Sequence, residues 1–335
     1  MNNDKITPNC LATLCLCTTL GIPHKADDGY KPLTQGEWNR LALALSHSSL
    51  KEPGGLLEAQ AGSWEKELGL NPYQLERMKK LLSRIGNLVV EVERLESLGI
   101  WVITRGDKSY PDRLKRKLKE RAPIVLYGAG NQKLFTTGSV ALVGSRDVDS
   151  DGVTFTERLA RKCTNDGVTV ISGGARGVDQ IAQNTAASLG GKCIVVLADS
   201  LEASLRRQHI RDSVLNGNLL VVTSFHPKSP FSVAKAMARN AYVYSLADYA
   251  VVVSASLSQG GTWAGATDDL KNRWSPLFVR DTESLPGNQR LLAMGALPID
   301  LETVQSNQNL VALMEEKSRQ GYVPAAKEQL SMFEK

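Results

Sequence analysis

Val168-Thr169-Val170-Ile171-Ser172-Gly173-Gly174-Ala175-Arg176-Gly177-Val178-Asp179 is the stretch on which the fold turns. Its first four residues are apolar or β-branched, its middle is rich in glycine, and a helical pattern begins at about residue 177. A short, continuously apolar strand that runs through glycines into a helix is a unit of a parallel sheet covered on both faces. The same unit recurs on either side. Upstream, Val140–Val143 leads through Gly144-Ser145-Arg146 to a helix from about 151. Downstream, Cys193–Leu197, Leu219–Val222, Ala250–Val253 and Leu277–Val279 alternate with helices from about 204, over about 231–246, and from about 262. Two further β-rich runs, Ile100–Ile103 and Val125–Tyr127, precede the series. Residues 99–300 therefore read as an α/β domain built on a parallel sheet.

In such sheets ligands bind beyond the carboxyl ends of the strands. Three strand ends share one chemistry: Gly144, Ser145 and Arg146; Ser172, Gly173, Gly174, Arg176 and Gly177; and Ser258-Gln259 before Gly260, Gly261 and Thr262. Glycines let backbone N–H groups approach an anion, and the helix that follows adds a partial positive charge. Arginine presents a planar fork that suits phosphate oxygens. Arg206 and Arg207 follow the third strand on the same rim, and Arg239-Asn240 precedes a later strand. These residues are expected to hold backbone phosphates. A denser basic run, Arg113 to Arg121, reads as a solvated helix face. No Gly-x-Gly-x-x-Gly and no Walker lysine loop is present, so no cofactor is expected.

Residues 1–98 read as a helical N-terminal domain. Thr34 and Asn71 stand as N-caps, with Pro72 at a first helical position. The apolar stretch Cys10–Ile22 is too short to span a bilayer and is expected to be a buried helix. Residues 301–335 decay into Gln, Asn, Lys and Glu and read as a mostly flexible tail with a short helix near 309–319. At 335 residues, with 42% hydrophobic and 22% charged residues, the chain has the profile of a globular protein, and its net charge of +5 suits a polyanionic partner. Five cysteines and four histidines show no metal spacing, which points to a reducing, cytoplasmic setting.

An ordered set of motifs resembles the DprA/Smf family of DNA-processing proteins, the DNA recombination mediators. It runs from Gly99-Ile100-Trp101 through Asp107, Tyr110-Pro111, Leu126-Tyr127 and Gly130-Asn131. It continues with Val143-Gly144-Ser145-Arg146, the Ser172–Asp179 loop, Arg239-Asn240, Gly287-Asn288 and Gly295-Ala296. The resemblance covers about residues 97–298. It implies an extended Rossmann-like fold, single-stranded DNA as partner, a homodimer, and contact with a RecA-type recombinase. Gln183, Ser204-Leu205 and Ala241 depart from the residues usual in the family, and suggest a divergent branch serving phage defence or a toxin–antitoxin pair with a cognate toxin as partner. Gln329-Leu330-Ser331-Met332-Phe333 resembles the pentapeptide that docks bacterial proteins on the DNA polymerase sliding clamp.

The expected function is non-enzymatic binding of single-stranded DNA, dominated by phosphate contacts. Tyr242, Tyr244 and Trp263 are the stacking candidates near the rim, in a chain only 6% aromatic. Two alternatives remain. One is an antitoxin or defence regulator using the same loops. The other is an enzyme resembling nucleotide phosphoribohydrolases, with Asp179, Asp268 or Asp269 as the carboxylate beside the sugar.

Overall fold

Three helices of the N-terminal region start where a side chain satisfies the first amides. The computed structural model describes residues 6–22, 31–58 and 64–321. Thr7 caps α1 (Pro8–Cys17). Thr34 caps α2 (Gln35–His47) in a reciprocal box with Glu37. Two short helices follow, α3 (Gly55–Glu58) and α4 (Trp64–Leu68). Asn71 and Gln74 form a second box at α5 (Pro72–Ser83), with Pro72 in its first turn, and α6 (Ile85–Ser97) completes the region. The apolar stretch at Cys10 is a buried helix as expected, though it stops at Cys17. The buried Arg84 guanidinium ends it, donating to the carbonyls of Leu14, Cys15, Thr18 and Leu20. The Cys15 carbonyl, in the last turn, is one that a helix C-terminus leaves without an intrahelical partner.

The α/β series then runs in chain order: β1 (Trp101–Thr104), α7 (Asp112–Leu118), β2 (Val125–Gly130), β3 (Ser139–Val143), α8 (Ser150–Asn165), β4 (Thr169–Ser172), α9 (Val178–Ser188), β5 (Cys193–Val196), α10 (Leu201–Leu205), α11 (Gln208–Leu215), β6 (Leu219–Thr223), α12 (Val233–Leu246), β7 (Tyr249–Val252), α13 (Gly260–Asn272), β8 (Leu277–Arg280), α14 (Pro286–Ala293), β9 (Leu297–Ile299), α15 (Leu301–Gln305) and α16 (Leu310–Gly321). The chain divides into two compact units. One comprises residues 1–136 and 194–246, the other 137–193 and 247–335. The expected boundary at 98/99 falls inside the first of these units, where Arg94 of α6 pairs with Glu91 at 2.8 Å and with the buried Glu202 of α10 at 2.6 Å.

In the first unit the strand order is β1-β2-β6-β5, and β1/β2 and β2/β6 are antiparallel. That corrects a wholly parallel reading at this edge. In the second unit the order is β4-β3-β7-β8-β9, and the pairs β3/β4, β3/β7, β7/β8 and β8/β9 are all parallel, with Val143 opposite Val252. Every residue of β3 and β4 is buried, as strands covered on both faces require. Burial pushes the thiol of Cys15 up to about 11 and that of Cys193 to about 12, so both act as apolar filling.

Residues 301–321 of the expected tail carry two helices that pack on the second unit. Val304 on α15 and Leu310, Leu313 and Met314 on α16 are buried. The Leu310 amide donates to the Asp166 carboxylate at 2.7 Å. Four apolar residues diluted among Gln, Asn and Glu suffice because α15 packs on α8 and α16 on β9. Residues 329–333 lie outside the described residues. No helix among the described residues is long and apolar enough to cross a membrane.

Arg77 in α5 is buried and donates to the carbonyls of Lys31 and Pro32 and to Glu37. That guanidinium beside Glu37 holds its carboxyl down at about 2. A folded-state value below the unfolded one stabilises the fold above about pH 4.5, and the contribution is lost as pH falls toward 2. Glu37→Gln is expected to lower stability by roughly 2 kcal/mol at pH 7, after allowance for partial exposure, and to flatten the acid limb between pH 4.5 and 2. Urea melts across that range are the measurement; an unchanged acid limb contradicts the pairing.

Candidate nucleic-acid interface

Two strand tips of the second unit interlock through their backbones. The Ser145 amide, just past β3, donates to the carbonyl and hydroxyl oxygens of Ser254, just past β7, at 3.0 and 3.1 Å. The Val178 amide at the start of α9 donates to the Ser145 carbonyl at 3.3 Å. Gly177 has φ +77°, and a Cβ there would lie 2.2 Å from the Ser145 carbonyl oxygen and 2.7 Å from that of Arg146. A Cβ at Gly144 would lie 2.4 Å from Val178 Cγ2. Only glycine permits either approach. The result is that Arg146 and Arg176, both exposed, leave adjacent loops.

Asp179 accounts for part of the glycine loop. It is 5% exposed, and one carboxylate oxygen accepts from the amides of Gly173 at 2.9 Å and Ala175 at 3.4 Å. Those two amides therefore serve the loop itself. The amides of Gly174, Arg176 and Gly177 make no hydrogen bond among the described residues, and they stand at the start of an eleven-residue helix. Backbone donors at a helix N-terminus next to two arginines form an anion site in chemical terms. The buried Ser172 ends the strand beneath.

The third loop is more open. Ser256 to Gly261 are exposed, Thr262 is half-buried, and Gly260 has φ +80° with no atom within 4 Å of a Cβ built on it. Its glycine answers to backbone conformation alone. Asp269, one turn before the end of α13, is fully buried and accepts from the amide and hydroxyl of Ser275.

The remaining site residues belong to the first unit. Arg206 and Arg207 lie exposed in the turn between α10 and α11, where a single helix was expected. Arg239 is 7% exposed and Asn240 half-buried. Arg239 lies one turn before Val243 on the core side of α12, so this pair is not on the exposed rim. Among the stacking candidates Tyr244 is buried, while Tyr242 and Trp263 are half-buried. In the basic run, Arg113 donates to the carbonyls of Phe135 and Leu246, and Lys115 sits 5.4 Å from the Tyr110 ring centroid, so part of that charge is structural.

Two features beside the loops escaped sequence reasoning. Arg280, at the end of β8, is 5% exposed and makes two 3.1 Å bonds to Asp149, the N-cap of α8. Its guanidinium holds the Asp149 carboxyl below the usual carboxylate range. Asn288, fully buried in α14, accepts from the Ala255 amide and donates to the carbonyls of Val253 and Arg280. It fixes the tip of β7. No group of histidine, cysteine and carboxylate residues among the described residues could hold a metal ion.

The model of the family described as DNA recombination-mediator protein A matches residues 101–309. The DNA processing protein DprA of Streptococcus pneumoniae is 28% identical over 140 residues, which cover 42% of this chain and 49% of that protein. The match thus spans about half the length of that relative. A solved structure of DprA from S. pneumoniae superposes with TM-score 0.59 at 21% identity, covering 84% of this chain and 98% of the other. A Helicobacter pylori DNA processing protein A, whose structure was solved for its single-stranded DNA binding mode, superposes with TM-score 0.51 at 25% identity over 67% of this chain and 97% of its own.

The two glycine loops should differ in tolerance. Gly177→Ala drives a Cβ into backbone carbonyls and is expected to cost about 3 kcal/mol or more, whereas Gly260→Ala, strained but unobstructed, should cost about 1 kcal/mol. Chemical denaturation of the two variants measures this. Equal costs would mean that the tips do not interlock.

Proposed function

Because the chain belongs to the DNA recombination-mediator protein A (DprA/Smf) family, we propose that it is a DNA-processing protein that binds single-stranded DNA through the backbone. The observation that carries this reading is the exposure of Arg146 and Arg176 on interlocked loops, next to the amides of Gly174, Arg176 and Gly177 at the start of α9. A phosphate there meets two guanidinium forks and the positive end of a helix. The exposed Arg206 and Arg207 of the first unit are cations of the kind that a phosphate backbone takes. With aromatic residues mostly buried or half-buried, affinity rests on charge and sequence preference is weak. The single-stranded DNA bound by the H. pylori relative supports the choice of ligand.

The protein acts by binding and not by bond cleavage. Asp179 supports this, since its carboxylate is buried and committed to two loop amides, and Asp269 is likewise committed to Ser275. Neither is available to stabilise positive charge on a sugar. Free base released from nucleoside monophosphates would replace this reading with a glycosidic one.

Arg146→Ala and Arg176→Ala are each expected to weaken binding of a labelled single strand about tenfold or more, with the thermal midpoint nearly unchanged. Each should also reduce the slope of log affinity against log salt by about 0.7. Fluorescence anisotropy across a salt series gives both quantities. Wild-type affinity and slope in the double variant would refute the assignment.

A further inference from the structure

Helices α2 and α5 of the first unit enclose a groove of about 190 Å³ between them. The buried Leu41, Leu68 and Met78 and the half-buried Leu33, Ala44 and Leu70 are among its walls. A cavity of roughly 150 Å³ takes a benzene ring, so this groove has room for one large apolar side chain. Both helices start in capping boxes whose partner residues, Glu37 and Gln74, belong to the same walls, so the groove is shaped before anything binds. Apolar surface continues past it. Leu43 is exposed on α2, three residues after Arg40, and Tyr73 is exposed on α5, four residues before Arg77, so helical spacing puts each on the side of a wall residue.

The charge on this face is unbalanced. Of the charged residues in the walls, Arg77 and Glu37 satisfy each other, and Glu37 also accepts from the amide and hydroxyl of Thr34. Arg40 is exposed and makes no hydrogen bond or ion pair among the described residues. Its planar fork suits a carboxylate. A second copy of the same face would set Arg40 against its own equivalent, with no carboxylate of the groove left to offset it. A phosphate backbone would meet a single cation here and leave the apolar walls uncovered. An acid next to an apolar anchor matches both features at once.

We propose that the face between α2 and α5 docks a partner protein through a short acidic segment, which sets one leucine- or phenylalanine-sized side chain into the groove and a carboxylate on Arg40. Leu43 and Tyr73 flank the anchor and shield it from water, as the rim of a protein interface does. This inference stands apart from the nucleic-acid reading and uses none of its residues.

The probes are three labelled peptides, titrated into the full chain by fluorescence anisotropy. One is built of leucine, phenylalanine and aspartate, the second carries lysine in place of each aspartate, and the third carries serine in place of each apolar residue. Wild type is expected to bind the first at least about tenfold more tightly than either of the others. Arg40→Glu, a change at an exposed position, is expected to reverse the preference between the aspartate and lysine peptides. Ala44→Trp, which fills the groove, should lose at least about nine-tenths of the affinity for the first peptide; circular dichroism melts check its folding, and Arg40→Glu carries the test alone if it unfolds. Equal binding of the first and third peptides would mean charge attraction without a groove and overturns the proposal. So does an unchanged preference in Arg40→Glu, or no binding of the first peptide at millimolar concentration. Sedimentation of wild type and Arg40→Glu covers a second copy as the occupant: a dimer lost in the variant overturns the proposal. Loss of single-stranded 20-mer binding in Arg40→Glu would assign the face to nucleic acid and overturns it as well.

Discussion

One close backbone approach in the second unit sets how its arginine-bearing loops meet. Gly177 lies against the carbonyls of Ser145 and Arg146 at a distance no side chain tolerates, and the Val178 amide closes the contact. Without it, the loops after β3 and β4 would be two separate turns, each with one arginine. With it, the two loops are held against each other, each carrying an exposed arginine. Precise spacing matters more here than strength, because an exposed arginine contributes little until a partner of matching geometry meets it.

The carboxylates near the strand tips are committed to structure. The buried Asp179 and Asp269 accept from loop amides and from Ser275, and the exposed Asp149 pairs with the buried Arg280. Arg146 and Arg176 point to solvent above them. A carboxylate that accepts backbone N–H bonds holds a glycine loop in shape without cancelling the field outside it.

Much of this was legible in the sequence because it is local. Thr34 and Asn71 announced their helices through side chains that reach only three residues, and the runs at 140–143, 169–172 and 250–252 announced buried strands by composition alone. What stayed hidden depends on partners far along the chain. Leu297-Pro298-Ile299 becomes a strand only because β8 is beside it. Arg280 finds Asp149 across 131 residues of sequence. Asn288 stood out only as one member of a family motif, and nothing in its neighbours foretold that it would pin Ala255. Arg239 looked like a surface cation until the helical phase that buries Val243 and Tyr244 buried it too. The antiparallel pairing of β1 and β2 was equally silent, since a short apolar run carries no direction.

The division of the chain has a consequence for its synthesis. The first unit is made of residues 1–136 and 194–246, so its early segment leaves the ribosome well before the strand and helices that complete it. At about 5–20 residues per second, the wait is on the order of ten seconds. During that interval the outer edge of β2, whose partner β6 is not yet made, has no neighbour to pair with. The nascent chain thus carries an exposed strand edge that a chaperone, or a second nascent copy, meets first.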